Sequence, residues 1–391
     1  MDATSTIPLI AGILVFLASL ISLRIGISVA ILEILLGVIA GNYLGISPEP
    51  WMTYLAGFGG VVLTFLAGAE VDLPLLKAKF KESMLIGGAS FLVPFLGAFA
   101  YAQLALGWST NASLIAGVAL STTSLAVVYS VLVETGLSNT KLGKLLMSAT
   151  FVTDIGTALA LSLLFITPSI ATLEFAVVSA AVIYLAVKHS RLLFADKRYK
   201  NKVIEPEIKY LFLLLLIFIY FAEIGSSHAI LPAFLLGLFM SPYFTELSDT
   251  KEVRNRLRTV AYALITPFFF IVSGMKVSIP LVLGSLGLFF ALFAVKQVSK
   301  FIGVYFLARK YLPKNEMYST LLMSTGLTFG TISSVFGYQA GYIDQTQFSV
   351  LVAVVVASAV IPTVIAQRWF KPVHSEDIIE ENGVHSAKKL G

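Results

Sequence analysis

Asp154 is a carboxylate near the middle of an apolar run, roughly residues 140 to 166, in a chain whose charged residues are almost all confined to loops. An ionised acid at the centre of a bilayer costs between about 2.5 and 17 kcal/mol, depending on the reference state, so it persists where an ion, a proton or a basic partner compensates it. Thr153 and Thr157 flank it and add hydroxyls as neutral ligands. Two hydroxyl clusters lie at similar depth: Ser121-Thr122-Thr123-Ser124, and Ser324-Thr325-Gly326-Leu327-Thr328 followed by Gly330-Thr331. Such clusters weaken a helix. Unwound backbone is tolerated at that depth only where it is buried or lines a cavity, and its half-helix ends then offer partial charges to ions. Each cluster alone also fits an intact helix whose Ser and Thr bond back to their own turn. Two clusters near one buried acid favour the broken-helix reading. The chemistry implied is reversible binding of a small cation or a proton by a single carboxylate.

The elements that position these residues follow from composition. Of 391 residues 57% are hydrophobic and 13% charged, too apolar for a water-soluble domain of this size. Runs long enough to cross a bilayer as helices fall at roughly 6 to 23, 27 to 45, 51 to 69, 83 to 107, 112 to 134, 140 to 166 and 170 to 188. After a basic loop, others follow at roughly 208 to 225, 229 to 246, 257 to 276, 279 to 311, 316 to 341 and 346 to 370. The expected fold class is an all-α polytopic membrane protein of about thirteen transmembrane helices.

Charge gives the orientation. All of the 27 basic residues except Lys276, Lys296 and Lys300 fall in alternate loops or the C-terminal tail. The excess marks the cytoplasmic side, so the N-terminus is expected outside and the C-terminus in the cytoplasm of a cell-membrane protein. These loops also account for the net charge of +5 and face anionic lipid; no nucleic acid need be invoked. No Lys or Arg precedes the first apolar run, so a cleaved signal peptide is not expected. The polar tail 373–391 is too short for a further domain.

Thirteen spans divide as six, one and six, with the helix at roughly 170 to 188 as connector. A single connector starts the second six on the opposite side, which gives inverted-topology repeats with a site between them. The fifth span then pairs with the twelfth, the sixth with the thirteenth and the fourth with the eleventh. Both hydroxyl clusters occupy the first of these pairs. Lys300 lies roughly 16 Å of helix from the end of the eleventh span, near the midplane, with Lys296 one turn away on the same face. Either could compensate Asp154 or brace the broken helix ends.

Several segments carry a specific likeness. They include Glu33-Ile34-Leu35-Leu36-Gly37 in the second span, Phe65-Leu66-Ala67-Gly68-Ala69-Glu70-Val71-Asp72 at the end of the third, Ser121 to Val128, Lys141-Leu142-Gly143, and Phe151-Val152-Thr153-Asp154. Ala233 to Leu238, Phe268 to Met275 and Lys300-Phe301-Ile302-Gly303 add to them. By these motifs the chain resembles the monovalent cation:proton antiporter-2 family, whose membrane domain is of the NapA and Kef type, from about Ile7 to Phe370. The resemblance implies a single exchanger domain over 1–372. Scaffold and dimerisation helices would lie at about 6–69 and 208–276, a mobile core at about 83–166 and 279–370, and a linker helix at about 170–188. It implies exchange of Na⁺, Li⁺ or K⁺ for protons by alternating access, in a homodimer. Asp154 matches the family's cation- and proton-carrying aspartate, with Thr153, Thr122, Thr123 and Ser124 around it, and Lys300 matches its basic residue in the eleventh span. Glu33, Thr325 and Lys296 are accessory candidates. Electrogenic members have two consecutive aspartates where this chain has Thr153-Asp154, so one-for-one electroneutral exchange is expected.

Other residues carry less. Glu33, early in the second span, is expected near the interface with a hydrogen bond from Ser or Thr. Glu70, Asp72, Glu134 and Glu223 read as solvated helix-end charges, and Pro94, Pro232 and Pro267 as kinks. His189, His228, His374 and His385 show no metal spacing, and no phosphate loop appears, so neither an enzyme nor an ATP-driven pump is expected and no cofactor is called for. A cation channel and a sodium-coupled organic-solute symporter of similar fold are the competing readings.

Overall fold

With no water available to satisfy backbone groups, apolar runs of this length must bond internally as helices. The computed structural model is helical throughout, with no strand among the described residues. It describes residues 3–372 apart from 27, 139, 166–168, 196–203, 226–227 and 246–249. Lys197, Arg198, Lys200 and Lys202 of the basic loop, and the tail with His374 and His385, lie outside the described residues.

Helices α1 (Ala3–Ile25), α2 (Val29–Tyr43) and α3 (Pro50–Ala69) precede a short α4 (Leu73–Ala78) and α5 (Phe80–Ala100), which continues as π-helix over Tyr101–Ala105. Next come α6 (Thr110–Ser121) and α7 (Leu125–Glu134), then α8 (Lys141–Leu164), α9 (Ile170–Ala195), α10 (Pro206–Ile224) and α11 (Ile230–Thr245). A continuous rod of α12 (Thr250–Val260), π-helix Ala261–Ile265 and α13 (Thr266–Met275) leads to a short α14 (Ile279–Gly284) and α15 (Leu286–Tyr311). The chain closes with α16 (Glu316–Met323), α17 (Thr328–Gln339) and α18 (Gln345–Trp369). Among the described residues nine helical stretches are long and apolar enough to cross a membrane. The remaining expected spans fall on α2, α10, α11 and the α16–α17 pair, which are shorter, more charged or interrupted.

Proline and capping explain several boundaries. Pro267 sits in the first turn of α13, directly after the π-helical stretch, so its missing N–H is absorbed by a change of helical pitch. Pro232, expected to kink its span, stands in the first turn of α11, where a missing donor costs nothing. The starts of the sixth and thirteenth spans are both capped. Thr140 accepts from Gly143 N at 3.1 Å, and Asp344 forms a reciprocal capping box with Gln347.

Inverted repeats are visible in matched local structure. The segment Gly68-Ala69-Glu70-Val71-Asp72-Leu73-Pro74 recurs in register as Gly274-Met275-Lys276-Val277-Ser278-Ile279-Pro280. Asp72 caps α4 through Leu75 N, and Ser278 caps α14 through Leu281 N. Each short helix ends at a residue of nearly the same conformation, Lys79 at φ −120°, ψ 31° and Ser285 at φ −122°, ψ 31°. Unbroken hydropathy made the stretch from 279 to 311 read as one span; the structure breaks it at Ser285, where a local backbone turn leaves no mark in the apolar pattern.

Two groups of helices emerge from the packing. In one, α2 packs on α1 and α13, and α3 on α11 and α13. In the other, α5 packs on α6, α8 and α15, while α15 and α17 pack on α18 and α17 on α6. Contacts of α11 with α8 and of α3 with α17 join them, and α9 packs on α10 and α11. The first group closes through glycine. A Cβ on Gly37 would strike Ile271 O, and one on Gly274 would strike Ile34 O; a Cβ on Gly237 would strike Phe65 O, and one on Gly68 would strike Phe234 O. These are the same contact made twice, each time between a helix of one repeat and a helix of the other, and they bring backbones close enough for the packing that replaces the hydrophobic effect in lipid.

That contact has a measurable consequence. Gly237→Ala is expected to destabilise the protein by about 1–3 kcal/mol through overpacking, seen as a lowered melting temperature in detergent. Gly57→Ala, at a position with no neighbour within 4 Å, should melt as the wild type does; equal melting of the two variants would contradict the packing argument.

Candidate functional site

Both hydroxyl clusters break their helices. α6 ends at Ser121 and Thr122 is extended (φ −68°, ψ 152°), with α7 resuming at Leu125. α16 ends at Met323, and Leu327 (φ −147°, ψ −77°) turns the chain into α17. The two unwound segments cross. Ser124 N donates to Thr325 O at 3.1 Å, and Thr123 Oγ1 donates to Met323 O at 2.8 Å. Gly326 is required at the crossing, because a Cβ there would lie 2.7 Å from Lys296 Nζ and 2.9 Å from Thr122 Oγ1. Four half-helix ends meet at this point, and their unpaired carbonyls and amides concentrate partial charge there.

The two lysines divide the work of satisfying those ends. Lys296 Nζ donates to Leu120 O at 3.0 Å and to Thr122 O at 3.3 Å, which neutralises the C-terminal end of α6. Lys300 Nζ donates to Ser90 Oγ and Thr123 Oγ1, each at 2.9 Å. Both side chains are completely buried. Lys300 is thus tied to the crossing and forms no ion pair with Asp154. Ser90 takes the place in α5 that Lys296 takes in α15, counting each helix from its matched break at Lys79 or Ser285. The carbonyl end of α16 therefore has only hydroxyl and amide donors where that of α6 has an ammonium.

Asp154 projects from α8 one turn beyond Thr150, whose hydroxyl lies 3.7 Å from the sulfur of Met323 at the end of α16. It is 2% exposed and makes no hydrogen bond among the described residues. The charges that reach it are those of Glu70 and Lys300. Thr153 donates to Thr150 O at 2.7 Å and Thr157 to Thr153 O at 2.8 Å, so both protons are spent within the helix and the hydroxyl oxygens keep lone pairs for an ion. Thr122 and Thr325 likewise donate to Ala119 O and Leu322 O within their own helix ends. Ser124 caps α7 by accepting from Val127 N at 3.4 Å. An unpartnered carboxylate beside such oxygens suits a hard monovalent cation or a proton. No group of three His, Cys, Asp or Glu side chains that could hold a metal occurs among the described residues.

The thirteenth span shows what the second repeat lacks. Ser358 of α18 stands where Asp154 stands in α8, and its hydroxyl approaches Gly326 O at 3.5 Å. One repeat thus brings a carboxylate to the crossing and the other a hydroxyl. Neither Ser90 nor Ser358 was distinguishable in sequence, since an isolated Ser in an apolar run is ordinary.

Other candidates lie further off. Glu33 is 3% exposed on α2 and, contrary to expectation, accepts no hydrogen bond among the described residues. Glu70, read from sequence as a solvated helix-end charge, lies at the end of α3 with Oε1 3.5 Å from Arg258 Nε, and burial raises its carboxyl above the ordinary value against the pull of Arg258 and Arg254. A cavity of ≈ 350 Å³ opens between α3, α10, α13 and α17 at the end of the molecule that carries Lys276, Glu223 and His228. Gly60, Phe269 and Ile332 are among the residues that line it, Ile332 one turn from the start of α17. The His228 ring meets Phe336 edge to face at 4.3 Å, and burial lowers the proton affinity of His228 and Lys276.

Comparison with known proteins places this arrangement. A family described as "Sodium/hydrogen exchanger, transmembrane" matches residues 12–371. The chain is 28% identical to a probable Na⁺/H⁺ antiporter 3 of Methanocaldococcus jannaschii, over 88% of this chain and 89% of that protein. It is also 28% identical to a Na⁺/H⁺ antiporter of Enterococcus hirae, over 92% of this chain and 96% of that one. The Na⁺/H⁺-K⁺ antiporter GerN of Bacillus cereus is 24% identical over 88% and 90%. Among solved structures, the sodium proton antiporter MjNhaP1 of Methanocaldococcus jannaschii at pH 8 superposes with a TM-score of 0.66, at 14% identity, over 94% of this chain and 97% of that one. The fold is therefore that of an antiporter membrane domain, and with nearly its whole length matched, the chain belongs to the sodium/hydrogen exchanger family.

Proposed function

We propose that the protein exchanges a monovalent cation for a proton at Asp154, the two competing for one carboxylate. The observation that carries this reading is the placement of Asp154, buried without a hydrogen-bond partner among the described residues beside the crossing of two broken helices. Relatives named as Na⁺/H⁺ antiporters support cation and proton exchange, and GerN, named for both Na⁺ and K⁺, keeps K⁺ beside Na⁺ as a substrate candidate.

In the proposed cycle the loaded carboxylate, neutralised by either a proton or a cation, lets its helices move. The bare anion does not move, because it would carry an uncompensated charge through the apolar boundary. Obligatory exchange follows without a further gate. The moving part is the α5–α8 and α14–α18 group, the elevator core, which slides against the α1–α3 and α10–α13 scaffold. Lys296 and Lys300 travel with the core and keep the broken ends satisfied. Cation ligands besides Asp154 come from the hydroxyls of Thr153, Thr122, Thr123 and Ser124 and from carbonyls at the end of α16, which carry no ammonium. With Thr153 in place of a second acid, each direction moves one positive charge, so exchange is electroneutral. The protein works as a homodimer in the cell membrane, with Arg258 on the cytoplasmic side.

Reconstituted protein should dissipate an imposed pH gradient when Na⁺, Li⁺ or K⁺ is added, and Asp154→Asn should abolish the effect. Identical behaviour of wild type and variant would refute the assignment and bring channel and symport assays forward. A membrane potential imposed without a pH gradient should drive no net cation uptake; uptake under voltage alone would refute electroneutrality. The division of labour between the lysines predicts an order of stability. Lys296→Met strips two buried carbonyls of their donor at about 1–3 kcal/mol each, whereas Lys300→Gln keeps a donor for its hydroxyl partners. Thermal melts in detergent should therefore rank Lys296→Met below Lys300→Gln, and the reverse order would contradict the geometry.

A further inference from the structure

We infer that Glu70 is the carboxylate through which a monovalent cation reaches Asp154 from the side of the membrane carrying Arg258, and that Arg258 is the counter-ion the cation displaces. The inference deepens the exchange reading and rests on it. The rod formed by α12, the π-helical stretch and α13 marks the two sides, with Arg258 near one end and Lys276 at the other, about 27 Å apart along the helix. The cavity between the two helix groups opens at the Lys276 end. At the Arg258 end stands the Glu70–Arg258 pair, with side chains 23% and 39% exposed. Asp154 in α8 is 2% exposed and without a hydrogen-bond partner among the described residues, and the Glu70 carboxylate is one of the charges that bear on it.

The position of Glu70 is fixed and its partner is not. Glu70 N donates to Leu66 O at 2.9 Å, and the turn before it is pinned to α11 because Gly68 packs against Phe234 O. The ion pair is a single contact of 3.5 Å to Nε, not a bidentate fork, and partly exposed pairs of this kind are weak. An incoming cation can replace the guanidinium at little cost, while Arg258 keeps the ring of Tyr262, 6.0 Å away, as an alternative contact. Repeat symmetry makes the device one-sided. The residue matching Glu70 at the opposite mouth is Lys276, which cannot bind a cation.

The test is the cation concentration giving half-maximal exchange, measured with Na⁺, Li⁺ and K⁺ in right-side-out and everted membrane vesicles. Glu70→Gln should raise it about tenfold, the equivalent of one lost charge interaction, when the cation is presented on the Arg258 side. Presentation on the Lys276 side should show no such rise, and the maximal rate should stay within about twofold. Arg258→Gln should lower the half-maximal concentration on the Arg258 side several-fold. Equal effects on both sides, no effect of Glu70→Gln, or a shift in the same direction for both variants would overturn the inference, the last by making the pair a brace. Absence of exchange in the wild type would overturn the antiport reading itself, a failure separable from all of these.

Discussion

Everything in this molecule depends on how four half-helix ends are satisfied where water is absent. An unpaired carbonyl or amide in hydrocarbon costs several kcal/mol, and breaking two helices at one level exposes many of them. The crossing meets that cost from within. Ser124 N and Thr123 Oγ1 serve the end of α16, and Lys296 serves the end of α6. Gly326 lets the two unwound segments approach. Once those ends are held, a carboxylate can be left without a partner beside them, and that unpartnered group gives the site its chemistry.

The symmetry of the repeats, and its failure at three pairs of positions, sets the charge pattern around the site. Backbone features recur faithfully, in the breaks at Lys79 and Ser285 and the reciprocal glycine contacts. The charges do not: Asp154 faces Ser358, Lys296 faces Ser90, and Glu70 faces Lys276 across the pseudo-twofold relation. The backbone is thus near-symmetric while the charges are not, and a carboxylate stands at the crossing in one repeat only.

How much of this was legible in the sequence depends on the kind of signal. Asp154 and both helix breaks could be read because polar residues are rare at that depth and each carries a large cost. The positions of the breaks at Lys79 and Ser285 could not, because a change of backbone angle within an apolar stretch leaves hydropathy unchanged. Helical spacing put Lys296 and Lys300 on one face, but that Lys296 reaches carbonyls and Lys300 hydroxyls depends on how α15 packs against α5 and α6, a tertiary quantity. Glu70 was read as solvated because it ends a span; its partner Arg258 is remote in sequence and close only once α3 packs against the rod that α12 begins. Glu33 shows the converse error, since burial was legible and the absence of a hydrogen-bond partner was not.

The central claim is that cation and proton compete for Asp154, and proton release tests it most directly. Purified protein in weakly buffered detergent solution would be titrated with NaCl, LiCl or KCl against a choline chloride control, following pH. The account predicts release approaching one proton per protomer for the transported ion, saturating with cation concentration and absent in Asp154→Asn. Cation binding without proton release, or release that survives in Asp154→Asn, would contradict it.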